Sequence, residues 1–191
     1  MSARTTEQRV FISFAQGDAD YAARLRDLLN RAGVTVLPGS GQGAAGSAIL
    51  DSLHEQQAQA TMNFVLIGPE TRYSKWVDKE IELATKPSKS GPGAGLIGVI
   101  LPTHEDFPKP YYEPELVPLR LHDRIQAEYA TLKKWTEDPA EVIRWIGDAD
   151  RRRHQYDATP SMRAMLDLRR FPWAEGADTP PASPAPEAPS P

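Results

Sequence analysis

Glu80 is the residue whose chemical type disagrees most with its place in the pattern. It falls within Ser74-Lys-Trp-Val-Asp-Lys-Glu-Ile-Glu-Leu-Ala84. Set at about 100° per residue on a helix, Trp76, Val77, Ile81, Leu83 and Ala84 share one arc. Lys75, Asp78, Lys79 and Glu82 fall opposite. Glu80 lies near the middle of the apolar arc, one turn after Trp76. A carboxylate there is costly unless it is paired or lines a cleft. Spacing alone leaves both readings open: a structural partner to an Arg or a backbone amide, or a group placed for chemistry.

The other candidates are weaker. Gly41-Gln-Gly43-Ala-Ala-Gly46 matches a dinucleotide-binding glycine pattern, but it follows the second predicted strand. No acidic residue stands about 20 positions further on, where a ribose would need one. A contact-forming or ligand-gated loop suits it better. His54, His104, His122 and His154 have no metal-ligand spacing, so surface or packing roles are expected. Asp123 and Arg124 are read as a structural pair. Arg151-Arg152-Arg153 is read as a solvated helix end that suits the helix dipole. With no cysteine, thiolate metal sites, disulfides and cysteine nucleophiles are excluded. A net charge of −4 gives no electrostatic reason to bind nucleic acid or anionic lipid.

These residues need elements to position them. Arg9 to Phe14 (RVFISF), Val34 to Leu37, Met62 to Ile67 and Leu96 to Leu101 read as strands. Helices are predicted from Asp18 to Ala32 with Gly33 as the C-terminal stop, from Ser47 to Ala58, and from Ser74 to about Ala84 with Ser74 as cap. Val117 to Leu121 reads as a short fifth strand at an edge, since Pro118 cannot donate to a central ladder. A last helix follows Asp138, with Pro139 at its first position and Glu141 completing a capping box. Pro87 to Gly95 reads as a connector. Tyr129, Trp135 and Trp145 are expected in the core.

Strands alternating with helices imply parallel pairing through right-handed crossovers. The expected fold is α/β, a flavodoxin-like open parallel sheet of four to five strands with helices on both faces. Ligands bind such sheets beyond the carboxyl ends of the strands. The loops Ala15–Gly17, Pro38–Gly46 and Gly68–Tyr73 are therefore the ones to watch. The expected organisation is a polar leader over 1–8, one domain with a helical extension over 9–153, an ancillary helical segment over 154–173, and a tail over 174–191. Half of the residues from Pro180 to Pro191 are proline and none is a large apolar residue, so the tail is expected to stay disordered. A polar start without an apolar core and the shortness of every apolar run predict no signal peptide, no membrane span and a cytoplasmic protein.

RVFISF, the amphipathic helix, the Gly-rich loop, MNFVLIG and above all Ser74-x-Trp76-Val77-x-x-Glu80-Ile81 resemble the TIR domain family. They are most similar to the TIR-like proteins of bacterial Thoeris antiphage defence, over about Arg9 to Leu121. The resemblance implies cleavage of NAD⁺, taken as substrate rather than cofactor, with Glu80 as the catalytic carboxylate. It also implies that Phe14, Ala15, Gln16 and Gly17 line the substrate site and that Trp76 stands beside it. The partners implied are other copies of the chain on activation and a downstream effector that senses the nucleotide product, with no nucleic acid and no membrane. Nicotinamide leaves a pyridinium as a neutral molecule, so no general acid is needed. The developing ribosyl cation needs a nearby anion and hydrogen bonds to its hydroxyls. Water then gives ADP-ribose, and an internal nucleophile gives a cyclic isomer.

The competing reading is a non-enzymatic TIR adaptor that acts by self-association. A phosphoacceptor receiver of the same topology fits poorly. It needs acidic residues after the first strand and an aspartate after the third, where Phe14-Ala15-Gln16 and Gly68 stand.

Overall fold

The computed structural model describes residues 8–38, 55–86 and 92–155. Most of the leader, residues 39–46 of the Gly-rich loop, the first part of the Ser47–Ala58 helix, residues 87–91 of the connector and everything past 155 lie outside the described residues. So do the glycine pattern and His54.

Five strands form one parallel sheet: β1 (Arg9–Ser13), β2 (Thr35–Val36), β3 (Met62–Ile67), β4 (Gly95–Ile100) and β5 (Ala130–Lys134). Their order is β2-β1-β3-β4-β5. The helices are α1 (Ala19–Arg31), α2 (Lys75–Ala84), α3 (Leu119–Gln126) and α4 (Pro139–Gln155), with a further helical stretch at 55–59. This is the flavodoxin-like arrangement that the alternating pattern predicts. The chain leaves β1 toward β2, then returns past β1 to β3. Parallel crossovers keep one hand, so that reversal puts α1 and α4 on one face and α2 and α3 on the other.

Both faces of the sheet are covered, which explains why β3 and β4 read as unbroken apolar runs. Val10, Ile12, Phe64, Leu66, Ile97 and Val99 pack against α1 and α4. Val65, Ile67, Leu96 and Ile100 pack against Val77 and Ile81 of α2 and Leu121 of α3. Side chains alternate along a strand, so Asn63 shares the α2 face with Val65. The register pairs Phe11 with Asn63 and Ser13 with Val65. On that face Ser13 donates to Asn63 Oδ1 at 3.1 Å, a buried polar pair between β1 and β3.

The helix ends follow local chemistry. Gly33 adopts φ +76° just past α1, the left-handed position that glycine fills at no steric cost. Ser74 Oγ accepts the Val77 amide at 3.2 Å and caps α2. At α4 the cap is half of what the sequence predicts. Asp138 Oδ1 accepts the Ala140 amide at 2.9 Å, but the Asp138 amide donates to Thr136 Oγ1 at 3.2 Å rather than to Glu141. The capping box is pre-empted by a threonine two residues upstream.

The fifth strand is misplaced by the sequence reading. Residues 117–121 are not an edge strand; α3 begins there, and the edge strand is Ala130–Lys134. Pro118 stands at the N-cap of α3, where a missing N–H costs nothing. The alternating Val117-Pro-Leu-Arg-Leu reads as extended, yet the chain is helical here, with Leu121, His122, Asp123 and Arg124 all buried. β5 carries lysines at its exposed end and has no long apolar run, as suits an edge.

Tyr129 and Trp145 are core residues, and Trp135 packs edge-on against Tyr21 with centroids 5.0 Å apart. Tyr129 donates to the Ala94 carbonyl at 2.7 Å, and burial pushes its hydroxyl up to about 12. Tyr129→Phe removes that donor and leaves the carbonyl facing an apolar ring. A loss of about 1 kcal/mol is expected, measured by urea unfolding.

Candidate functional site

α2 leaves the carboxyl end of β3 and runs back over β3 and β1. Its inner face holds Val77, Glu80, Ile81 and Ala84. Glu80 is 0 % exposed. The position is as the helical spacing predicts, but the carboxyl group does not line an open cleft; it is shut beneath the helix. Trp76, one turn nearer the carboxyl end of the sheet, is partly buried, and its indole N–H has no hydrogen-bond partner among the described residues. On the outer face, Glu82 meets Lys79, Lys86 and Arg120, and Arg120 binds Asp78 at 2.7 Å. The hydrogen bonds from Lys86 and Lys79 hold Glu82 down at about 2. Two glutamates two residues apart thus occupy opposite environments.

Phe14, Ala15, Gln16 and Gly17 leave the carboxyl end of β1. Phe14 is half-buried, Ala15 buried, and Gln16 and Gly17 exposed in a 3-10 turn, Gln16–Asp18. This turn and the first turns of α2 lie at the same end of the sheet, flanking the point where strand order reverses between β1 and β3. The structure therefore gathers the six sequence candidates at one end of the molecule, with Glu80 one helical turn deeper than Trp76.

Asp18 is the residue that sequence reasoning passed over. It stands where an N-cap for α1 belongs, yet makes no side-chain cap bond. The carboxyl group instead turns inward, 4 % exposed, onto the loop after β3. Asp18 Oδ2 lies 3.2 Å from Thr71 Oγ1, and a Cβ built on Gly68 would overlap both Asp18 carboxyl oxygens. Burial is the chief force pushing this carboxyl above the ordinary range, and the Glu70 charge adds to it. The Thr71 hydrogen bond, His104 and the Gly68 amide oppose the shift.

The described histidines have packing or surface positions. His104 Nδ1 accepts the Asp106 amide at 3.1 Å, so Nε2 carries the proton donated to the Leu116 carbonyl at 3.0 Å. His122 Nδ1 meets the Tyr112 hydroxyl at 2.8 Å inside the core, and His154 is exposed at the end of α4. Arg124 is buried and donates to Thr85 Oγ1 at 3.2 Å.

The family model described as TIR domain matches residues 10–144. The chain belongs to the TIR domain family. That match takes in β1 from its second residue, β2 to β5, α1 to α3 and the first part of α4, and with them Phe14 to Gly17, Trp76 and Glu80. No curated protein matches the chain. Among solved structures, this TIR chain is similar to the TIR domains of the activated Roq1 resistosome directly recognizing the pathogen effector XopQ. The identity is 13 %, over 77 % of this chain and 84 % of that one, with a TM-score of 0.42. No helix among the described residues is long and apolar enough to cross a membrane.

Proposed function

We propose that this TIR domain cleaves NAD⁺, releasing nicotinamide and leaving an ADP-ribose or cyclic ADP-ribose type signal, in the manner of antiphage Thoeris TIR proteins. The observation that carries the reading is a fully buried carboxylate, Glu80, on the inner face of α2 one turn below Trp76. A glutamate on an otherwise apolar helix face is kept out of water at a desolvation cost that contacts within the fold must offset. Electrostatic stabilisation of a ribosyl cation gives it a reason, because a desolvated anion acts most strongly where water is excluded. Phe14 to Gly17 and Trp76 would then hold the dinucleotide at the carboxyl end of β1. On this reading NAD⁺ is the substrate, and the chemistry calls for no further cofactor.

Burial of Glu80 has a kinetic corollary. The carboxyl group has no solvent access in this conformation, so NAD⁺ reaches it only after a neighbouring element moves. An activating step that opens the site, such as assembly with further copies, follows naturally. Specific activity should therefore rise with protein concentration, or on addition of the activating signal, rather than stay constant. The experiment is chromatography of NAD⁺ incubated with purified protein across a concentration series, followed as free nicotinamide. A protein that associates but releases no nicotinamide at any concentration or in phage-stimulated extract is the non-enzymatic adaptor instead.

A further inference from the structure

We infer that Asp18 is a proton-controlled positioning residue: its neutral form docks the Gln16–Asp18 turn onto the loop after β3, and its ionisation loosens that turn. The inference concerns the fold itself; that the turn borders a substrate site rests on the reading proposed above.

The argument is a hydrogen-bond count around one hydroxyl. Thr71 Oγ1 accepts the Gly68 amide at 2.9 Å. It also lies 3.2 Å from Asp18 Oδ2 and 3.2 Å from the Leu66 carbonyl. A threonine hydroxyl has one proton. If Asp18 is ionised, both remaining neighbours are acceptors, and the single proton cannot serve both. If Asp18 carries a proton, the chain closes: the carboxyl donates to Thr71, and Thr71 donates to the Leu66 carbonyl. With Asp18 ionised, Thr71 and the Gly68 amide can serve the carboxylate, but the Leu66 carbonyl then loses the Thr71 proton; with Asp18 neutral, both contacts of the hydroxyl are served.

The surroundings favour the same form. Asp18 is 4 % exposed and Thr71 0 %. Gly68 has no side chain, and the Asp18 carboxyl group occupies the space that a Cβ there would take. The charged or titratable groups that act on it are Glu70, from the β3 loop, and His104, from the loop after β4. Glu70 repels a carboxylate. His104 acts in the opposite sense, but less than burial and Glu70.

The linkage has a definite sign. Asp18 binds its proton more tightly when folded than the ordinary aspartate value of 3.8. Its contribution to stability is fully present below that value and is lost as pH rises through the folded midpoint. Asparagine in its place donates an amide N–H to Thr71 at every pH, as the neutral acid does.

The test has two arms, neither of which uses NAD⁺. In uniformly ¹³C-labelled wild type, the Asp18 carboxyl resonance should titrate above 3.8, with amide exchange at Gly17 and Asp18 accelerating through the same midpoint. In the second arm, Asp18→Asn and wild type should melt together near pH 4. At pH 8 the variant should melt higher by about 2–4 °C. A carboxyl that titrates at or below 3.8, or an Asp18→Asn melting profile parallel to wild type, overturns the inference. Because no arm measures turnover, an inert NAD⁺ assay would sink the proposed activity and leave this inference standing. The reverse result would do the opposite.

Discussion

Glu80→Gln is expected to lower nicotinamide release from NAD⁺ by about 100-fold or more, with an unfolding midpoint close to that of wild type. The substitution keeps the shape of the side chain and removes its charge. Glutamine still hydrogen-bonds from the same position, so the 0 % exposed site keeps a polar group that its surroundings can satisfy. The lost interaction strengthens as positive charge develops on the ribose, so affinity for NAD⁺ should change far less than turnover. If Glu80 were instead half of a buried ion pair, the same change would strand its partner. That outcome costs about 3–5 kcal/mol and spares the rate of whatever protein remains folded. Glu82→Gln is the internal control. It breaks exposed contacts to Lys79, Lys86 and Arg120, each worth about 0.2–1 kcal/mol, on the face of α2 away from the sheet. Turnover should not respond. Nicotinamide release and thermal melting of the three proteins decide the matter. An unstable Glu80→Gln with normal turnover would make Glu80 a structural carboxylate.

Much of this was legible in one dimension because its causes are local. Ser74 caps α2 through an amide three residues on, and the helical period alone puts Glu80 on the inner face. Gly33 marks the end of α1 by its own backbone conformation. β1, β3 and β4 announce themselves as apolar runs because both sheet faces are covered. The reading failed where tertiary context outweighs local pattern. Leu121 to Arg124 form a short helix because Leu121 is needed over the sheet while Arg124 reaches Thr85, and no alternation rule encodes that. β5 pairs with β4 through a backbone ladder that its Ala-Thr-Leu-Lys-Lys sequence hardly advertises. Asp18 was missed for the same reason. Its partners Gly68 and Thr71 are some fifty positions away in the chain, and before an amphipathic helix an aspartate reads as a cap. The one available hint was a glycine directly after a buried strand, at a place where no turn requires one.

Gly68→Ala is the second large effect expected, and it tests that hint directly. The new methyl group would occupy the space of the Asp18 carboxyl, so either the backbone of the β3 loop shifts or Asp18 is pushed out. If Asp18 leaves, its bond to Thr71 is lost and the Gln16–Asp18 turn undocks from β3. Overpacking of this kind costs about 1–3 kcal/mol, partly offset because the displaced carboxyl regains water. The decisive measurement is a double-mutant cycle with Asp18→Ala. Removing the carboxyl empties the space that the alanine methyl needs, and Gly68→Ala in that background should be nearly neutral. Residues in direct contact show this non-additivity, whereas independent sites add to within about 0.5 kcal/mol. Denaturant unfolding of the four proteins gives the coupling. An additive cycle would mean that Gly68 is glycine for a reason unconnected with Asp18. The docking of the first loop on the third strand would then have to rest on Thr71 alone.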